Sequence, residues 1–548
     1  MSEPVQVDEG NESASPAVEI EAAALPAATP AAPVTPPSTV GRPLPARVAY
    51  PLAVLCGFLY FLAFPGIDVW PLAFVALVPL IVALRGQTPR RALGLGWAAG
   101  FTMTMCGFYW LMEMLRAFSG FGDVLCVLFM AILCAYQAGR IGLAGWLYAR
   151  AEQRGWPAAP TFALAFVASE LVFPLLFPWY YGATVHNAVV FLQTADLGGP
   201  YLVGLVLVAA NLGVAELILA RREGRKHDAG SRRVLTVAVA VPALAALYGY
   251  VRLRMVDAAA AAAEPVKIGI VQGNQPLLGK RNALAVHVAR TAELKKAGVD
   301  LVVWSEGGSG VGTYETADYA DMRRIVTNRL GISTIVGGEL RREDGKQHHD
   351  FNTALLTDKT GAIRGRYDKQ FLLAFGEYLP FGETFPILYS WSPNSSRFSS
   401  GTSLEPLPFG DHKISALICY EDILPGFVNS MVQHADPDLL VNLTNDTWFG
   451  DTTEPWIHLA LAKLRAVEHR RYLVRATNTG VSALIDPVGR VAMHGSTFKE
   501  EALIGVAKFM RGKTGYEILA DWPWRLAAAA IFLMAFVRKE RVLKAMGR

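Results

Sequence analysis

From Arg47 onward the chain runs through long apolar stretches parted by short polar breaks, and past about residue 265 this texture gives way to short apolar runs. The long stretches are Val48–Phe64, Val69–Leu84, Ala92–Leu115, Val124–Tyr148, Ala158–Leu176, Pro200–Ala220 and Val234–Val251. They have about the length that a bilayer core asks of an α-helix, so seven spans are predicted. An eighth, Trp524–Val537, stands alone near the C-terminus. It is short, but Arg525 can snorkel at its start, and Trp522 and Trp524 suit the interface. The short runs Val266–Gln272, Leu301–Trp304, Ser333–Gly337, Asn352–Leu356, Ile414–Ile418, Leu439–Leu443, Tyr472–Ala476 and Val481–Asp486 read as strands. Helical patterns at Ala283–Lys296, Ala317–Leu330 and His458–Arg471 interleave with them, which predicts a layered α/β domain with both sides covered. The fold class is thus a polytopic α-helical membrane bundle of about eight spans plus an extracytoplasmic α/β domain.

Loop charge sets the expected orientation. Arg42 and Arg47 precede the first span, Arg85, Arg90 and Arg91 follow the second, and Arg150 and Arg154 follow the fourth. RREGRKHDAGSRR follows the sixth and RKERVLKAMGR the last, whereas Pro178–Gly199 holds no Lys or Arg. Arg252 and Arg254, just past the seventh span, are a mild exception. By the positive-inside rule both termini are cytoplasmic and the α/β domain lies outside. Buried core helices of a soluble protein would not account for this alternation. The composition agrees: 52% of residues are hydrophobic and 18% charged, with 51 Lys+Arg and 47 Asp+Glu, so the charges must be segregated. A net charge of +4 is too weak to argue for nucleic acid. Residues 1–39 are rich in Ala, Pro, Ser, Thr and Glu with no Lys or Arg, which predicts disorder. Lacking the basic and apolar regions of a cleaved signal peptide, this segment leaves targeting to the first span. The expected organisation is a disordered cytoplasmic tail (1–41), a seven-span membrane domain (42–256), a catalytic domain (257–512) and a last span with a basic end (513–548).

Four of the five cysteines, Cys56, Cys106, Cys126 and Cys134, lie in apolar stretches; only Cys419 lies in the polar half. It is either an inert core thiol or a nucleophile. In KISALICYEDILPG a strand ends in Cys419 and a helix is expected to begin at Glu421, and the helix start would favour thiolate. LVVWSEGG runs a strand into Glu306, and RGRYDKQFLLAFGEYLPFGE carries Lys369 and Glu377. Each polar residue falls at or after a strand's C-terminal end, where open α/β sheets gather their sites. A carboxylate to take the thiol proton and an ammonium to hold an oxyanion would complete nucleophilic catalysis. Taken singly, Lys369 also reads as a surface charge and Glu306 as a helix-start carboxylate. The ten histidines show no ligand clustering, no Cys/His run has zinc spacing, and no Walker motif occurs, so neither metal nor cofactor is expected. Glu113, Arg140 and Glu170 are ionisable groups within the apolar half, and His186 follows YYG in an outer loop. Phe371–Trp391 is unusually apolar for a loop; it is either an arm dipping into the membrane interface or part of the domain's own packing.

The order Glu, Lys, Glu, Cys in these contexts resembles the nitrilase, or carbon–nitrogen hydrolase, superfamily. With the membrane spans, the chain resembles the apolipoprotein N-acyltransferase family from Arg47 to the C-terminus. WSE, YDKQ, FGEYLPFGE and ICYE carry the likeness, with NLTNDTWFG, PWIHLALAKLRAVEHRR and YLVRATNTGVSALIDPVG downstream. Ser305 departs from it, standing where proline is more common. The resemblance implies a nitrilase-like α-β-β-α sandwich on the periplasmic side of a bacterial inner membrane. It implies Glu306 as general base, Lys369 as oxyanion stabiliser and Cys419 as nucleophile, with Glu377, Tyr420, Glu421 and Trp304 in support. It further implies a phospholipid donor, phosphatidylethanolamine, and a diacylated apolipoprotein acceptor for a monomeric enzyme. Two rival functions are a membrane-anchored amidase using the same triad and a transporter with an outer sensing domain. Eight spans exceed what anchoring needs, and no broken-helix repeat favours the transporter.

Overall fold

The computed structural model describes residues 41–225, 228–276, 282–345, 347–392 and 395–545; the tail expected to be disordered lies outside them. In its first half, four helices are long and apolar enough to cross a membrane by length and composition: Ala46–Ala63, Asp123–Glu152, Ala195–Glu223 and Ala229–Ala262. That is fewer than the eight spans expected. The difference has local causes. The stretch Val69–Leu84 is a 3₁₀ turn, Trp70–Phe74, followed by the helix Val78–Leu84, each opening on a proline, Pro71 and Pro79. Proline is tolerated in the first turn of a helix but not within it, so this sequence restarts rather than continues. The stretch Ala92–Leu115 divides into Leu111–Ser119 and Pro89–Gly107, the latter nineteen residues long but opened by Pro89, Arg90 and Arg91 and so less apolar than the four. Ala158–Val172 and Trp522–Phe536 are apolar but fifteen residues each.

Close helix contact in this half relies on small residues. A methyl at Gly96 would lie 2.3 Å from the Ile141 carbonyl oxygen, so glycine lets Pro89–Gly107 lie against Asp123–Glu152. Arg140 and Glu170 prove to be partners in the core, 2.7 Å apart, with the guanidinium 3.6 Å above the Trp179 ring. Tyr181 N–H donates to the same carboxylate at 2.8 Å. Glu113, by contrast, is half-exposed and pairs with Arg116.

The second half is two facing sheets. One runs Glu501–Lys508, Pro265–Gln272, Leu301–Trp304, Thr334–Asp344, Gln347–Thr357, Ile363–Asp368, with Gly312–Tyr314 paired to Thr334–Asp344. The other runs Val491–His494, Ala483–Ile485, Leu473–Thr477, Leu439–Thr444, His412–Ile418, Leu407–Phe409. Strand alternation divides their side chains between layers. Leu301 and Val303 enter the core between the sheets with Ala416, Ile418 and Val441. Val302 and Trp304 face the outer layer with Leu294 of helix Ala283–Lys296. Helices Pro425–Ala435 and Glu454–His469 flank the second sheet and complete an α-β-β-α sandwich.

The two halves are riveted together. Phe118 stacks on Trp448 at 4.3 Å, and Trp110 meets Phe449 edge-on at 5.2 Å. The buried Asp196 accepts from Arg470 at 2.7 Å, Arg252 at 2.8 Å and the Tyr248 hydroxyl at 2.7 Å. Asp196→Ala would leave the buried Arg470 without its counter-ion, and removing one partner of a buried pair costs about 3–5 kcal/mol. The expected outcome is a lowered thermal midpoint in detergent; an unchanged midpoint would show that Asp196 does not hold the junction.

Candidate active site

Glu306 follows strand Leu301–Trp304, Lys369 follows Ile363–Asp368 and Cys419 follows His412–Ile418. The sandwich therefore delivers all three from strand ends. Gly337 makes room for the Glu306 turn: a methyl there would lie 2.3 Å from the Ser305 carbonyl oxygen. Cys419 is held at φ +56°, a conformation that side chains other than glycine rarely adopt. Its carbonyl accepts from Asn442 Nδ2 at 2.9 Å.

Glu306, Lys369, Glu377 and Cys419 line one cavity of about 340 Å³, together with Asn352, Leu373, Asn445 and Trp448. The Lys369 ammonium is 1% exposed and lies 3.2 Å from Glu306 Oε1 and 2.7 Å from Glu377 Oε2. Asn352 Nδ2 donates to both carboxylates, at 2.6 Å to Glu306 and 2.9 Å to Glu377. The Leu373 backbone N–H donates to Glu377 at 2.8 Å. Burial opposes charge on Lys369, but the two carboxylates outweigh it and lift its pKa well above the usual lysine range. Burial raises Glu306, helped by Glu377 and opposed by Lys369.

The thiol differs from the sequence expectation. Burial, then the Glu306 charge, pushes Cys419 well above the ordinary thiol range, so at rest it is a thiol. Cys419 opens only a five-residue 3₁₀ turn, Cys419–Ile423, too short to supply a helix-start field. The fold therefore does not ionise the thiol beforehand, and Glu306 is the charged group that bears on it most.

Glu421 stands behind the cavity as a brace. Its Oε1 accepts from the Gln370 and Phe371 backbone N–H groups at 2.7 and 3.1 Å and from the Tyr367 hydroxyl at 2.8 Å. Its Oε2 accepts from Ile418 N–H at 2.7 Å, so one carboxylate ties the Lys369 segment to the Cys419 strand. Burial raises its pKa to about 7. Tyr420 points away from the cavity: its hydroxyl donates to Glu454 at 2.7 Å and its ring stacks on His458 at 4.8 Å. Trp304 does not shape the cavity; it is fully buried in the outer layer, with its indole N–H donating to Thr291 at 2.9 Å. Asp446, Glu454 and His458 bring ligand-type atoms within 4.8 Å of one another. Both His458 nitrogens are already engaged by carboxylates, so these residues form a hydrogen-bonded network rather than a seat for an ion.

Sequence reasoning missed Asn352, Asn442, Asn445 and Trp448. Asn352 leads to a measurable expectation. Its amide stabilises the Glu306 anion, so Asn352→Ala should raise the Glu306 pKa. A base must be ionised to act, so the acid limb of the kcat/KM profile should move to higher pH. An unmoved limb would remove Asn352 from the site's electrostatics.

Residues 56–213 match the apolipoprotein N-acyltransferase N-terminal domain, and residues 267–511 match the carbon-nitrogen hydrolase family. The apolipoprotein N-acyltransferase of Geobacter metallireducens is 30% identical over 511 residues, which cover 90% of this chain and 96% of that protein. That of Azotobacter vinelandii is 31% identical over 505 residues, covering 89% and 95%. Among solved structures, Saccharomyces cerevisiae Nit3, a member of branch 10 of the nitrilase superfamily, aligns with TM-score 0.35 at 17% identity, over 45% of this chain and 90% of that chain. With relatives of this kind matching nearly end to end, the chain belongs to the apolipoprotein N-acyltransferase family and is an acyltransferase built on a carbon–nitrogen hydrolase domain.

Proposed function

We propose that the chain moves an acyl chain from a phospholipid, phosphatidylethanolamine, through a thioester on Cys419 to the α-amine of the S-diacylglyceryl-cysteine that begins an apolipoprotein. The observation that supports this most is the buried Lys369 ammonium between two carboxylates in the cavity that Cys419 lines. In the first half-reaction Glu306 takes the thiol proton as Sγ attacks the ester carbonyl, and Lys369 stabilises the oxyanion. Collapse breaks the ester C–O bond, the thioester forms, and Glu306 returns the proton to the departing lysophospholipid alkoxide. In the second, the neutral α-amine attacks the thioester, Glu306 accepts the amine proton, and the Cys419 thiolate leaves and regains that proton. Glu377 holds the ammonium in place throughout. Two half-reactions on one covalent intermediate make the kinetics ping-pong.

In this reading residues 42–256 form the membrane domain, 257–512 the catalytic domain on the periplasmic face of a bacterial inner membrane, and 513–548 the closing span and basic end. The shorter segments Trp70–Leu84, Ala158–Val172 and Trp522–Phe536, with Pro89–Gly107, join the four apolar helices to make eight passes. Loop charge supports cytoplasmic termini, residues 1–41 included. The enzyme acts as a monomer and needs no cofactor. Phe371–Trp391 serves as an arm at the membrane interface: Phe381, Phe385, Ile387 and Trp391 are all more than half exposed, a patch that lipid would cover.

Incubation with labelled phospholipid should produce a hydroxylamine-sensitive acyl adduct on the wild type and none on Cys419→Ala, with turnover lost by about 10⁴-fold or more. A wild-type adduct on another residue would refute the mechanism. Converting Phe381 and Trp391 together to Asp should slow turnover of long-chain phospholipid about tenfold while sparing a short soluble ester. Equal loss on both substrates would sink the arm.

A further inference from the structure

Behind Cys419 lies a cluster of charged groups that the reaction above does not use. His458, on helix Glu454–His469, is 1% exposed. Its Nε2 is 2.8 Å from Asp422 Oδ1 and its Nδ1 is 3.1 Å from Asp446 Oδ1. Asp422 belongs to the turn that Cys419 opens, and Asp446 opens the 3₁₀ turn Asp446–Phe449. The latter turn, with Asn445 before it, supplies Asn445 and Trp448 to the cavity wall. Tyr420 closes the group, with its ring on the imidazole and its hydroxyl on Glu454. Arg475 pairs with the other oxygen of Asp422.

We propose that His458 is a positioning residue for acyl transfer: a buried imidazolium that bolts the nucleophile's turn to the turn lining the opposite cavity wall. A bridge of this kind needs one ring that donates from both nitrogens to two carboxylates on different segments. Only the protonated imidazole does so. The surroundings favour that form. Burial and Arg475 oppose charge on the ring, but Asp422 and Asp446 outweigh them and lift its pKa to about 9. Glu454, 4.0 Å away, is itself raised to about 8 by burial and by Asp446, so it is mostly neutral at physiological pH. The charged groups facing the ring are therefore Asp422, Asp446 and Arg475, and the imidazolium offsets the second of the two carboxylates. That matters to the thiol because Asp446 acts on Cys419 to raise its pKa. The left-handed backbone at Cys419 persists only while its surroundings hold it, and His458 is one of those holds.

The inference rests on Cys419 being the nucleophile, and the test separates the two. Full-length enzyme in detergent is assayed for thermal midpoint, single-turnover formation of acyl-Cys419 and the pH midpoint of Cys419 alkylation by iodoacetamide. His458→Asn should slow acylation about 100-fold with little change in KM, as expected when a nucleophile is misplaced by about an ångström. It should also raise the alkylation midpoint, because Asp446 loses its counter-charge. Asp446→Asn, isosteric and retaining the imidazole, should lower that midpoint; it also serves if His458→Asn does not fold. A merely structural role would not move the two variants in opposite directions. Shifts in the same direction, or acylation within twofold of wild type in His458→Asn, would overturn the proposal. So would a stoichiometric metal lost in His458→Asn. If the wild type alkylates at Cys419 but forms no acyl adduct, the reading of function fails while the effect of His458 on the thiol is still measured.

Discussion

A lysine ammonium at 1% exposure must be matched by negative charge, and that requirement organises the active site. Lys369 is matched twice, by Glu306 and Glu377, and the two carboxylates repel each other unless a donor lies between them. Asn352 is that donor. Its own position is set by the sheet, since Asn352 pairs with Glu339 across adjacent strands and its carbonyl accepts from Lys369 N–H at 2.9 Å. A single buried cation thus requires three partners from three separate segments of the chain. The first sheet and the loop beyond its edge strand exist in the arrangement that brings them together.

The same low-dielectric surroundings explain the resting state of the thiol. Water-poor burial makes every charge expensive, so the site keeps one ammonium between two carboxylates and leaves Cys419 neutral. In the proposed reaction a neutral thiol beside a raised carboxylate would give up its proton as a carbonyl arrives and stay inert when none does. Glu421 contributes geometry as well as charge. Its four backbone and side-chain donors tie the Lys369 and Cys419 segments to one another through one buried carboxylate.

Much of this was legible in the chain. Glu306 and Cys419 each come at the close of an apolar run, which is how a strand end looks in sequence, whereas Lys369 and Glu377 sit in the mixed stretch RGRYDKQFLLAFGEYLPFGE and stand out by their chemistry and their motifs. Asn352 was not legible, because a polar residue within a strand reads as a solvent-facing position, and only pairing across the sheet turns it inward. Trp304 was misread for the converse reason: nearness to Glu306 in WSE is not nearness in space, since the strand ends at Trp304 with its ring in the outer layer and the chain turns before Glu306. The thiolate expectation assumed a helix after Cys419, but the chain makes one short turn there and spends the Ile418 N–H on Glu421. In the first half, hydropathy marked the apolar stretches but not their breaks. Pro71 and Pro79 sit within apolar runs that they hardly interrupt by hydropathy, yet each restarts the backbone.

The union of apolar helices with a hydrolase-type sandwich follows from the proposed substrates. Drawing an acyl chain out of a bilayer costs about 0.8 kcal/mol per methylene, which for a long chain exceeds what most binding sites recover. The ester carbonyl must therefore come to Cys419 while the hydrocarbon stays in apolar surroundings. A cavity of about 340 Å³ has room for the reacting ester but not for a whole phospholipid. Its wall at Trp448 continues directly onto Phe118 of helix Leu111–Ser119, and Leu373 packs against the same apolar core. Two residues of the cavity wall thus pack on the helices of the first half. A free-standing sandwich would end that wall in water, where the thioester would hydrolyse and the chain would have no place to lie. On the proposed reaction, joining the two halves would suit such a site to transfer rather than hydrolysis, and the stacked pair Phe118 and Trp448 lies at that junction.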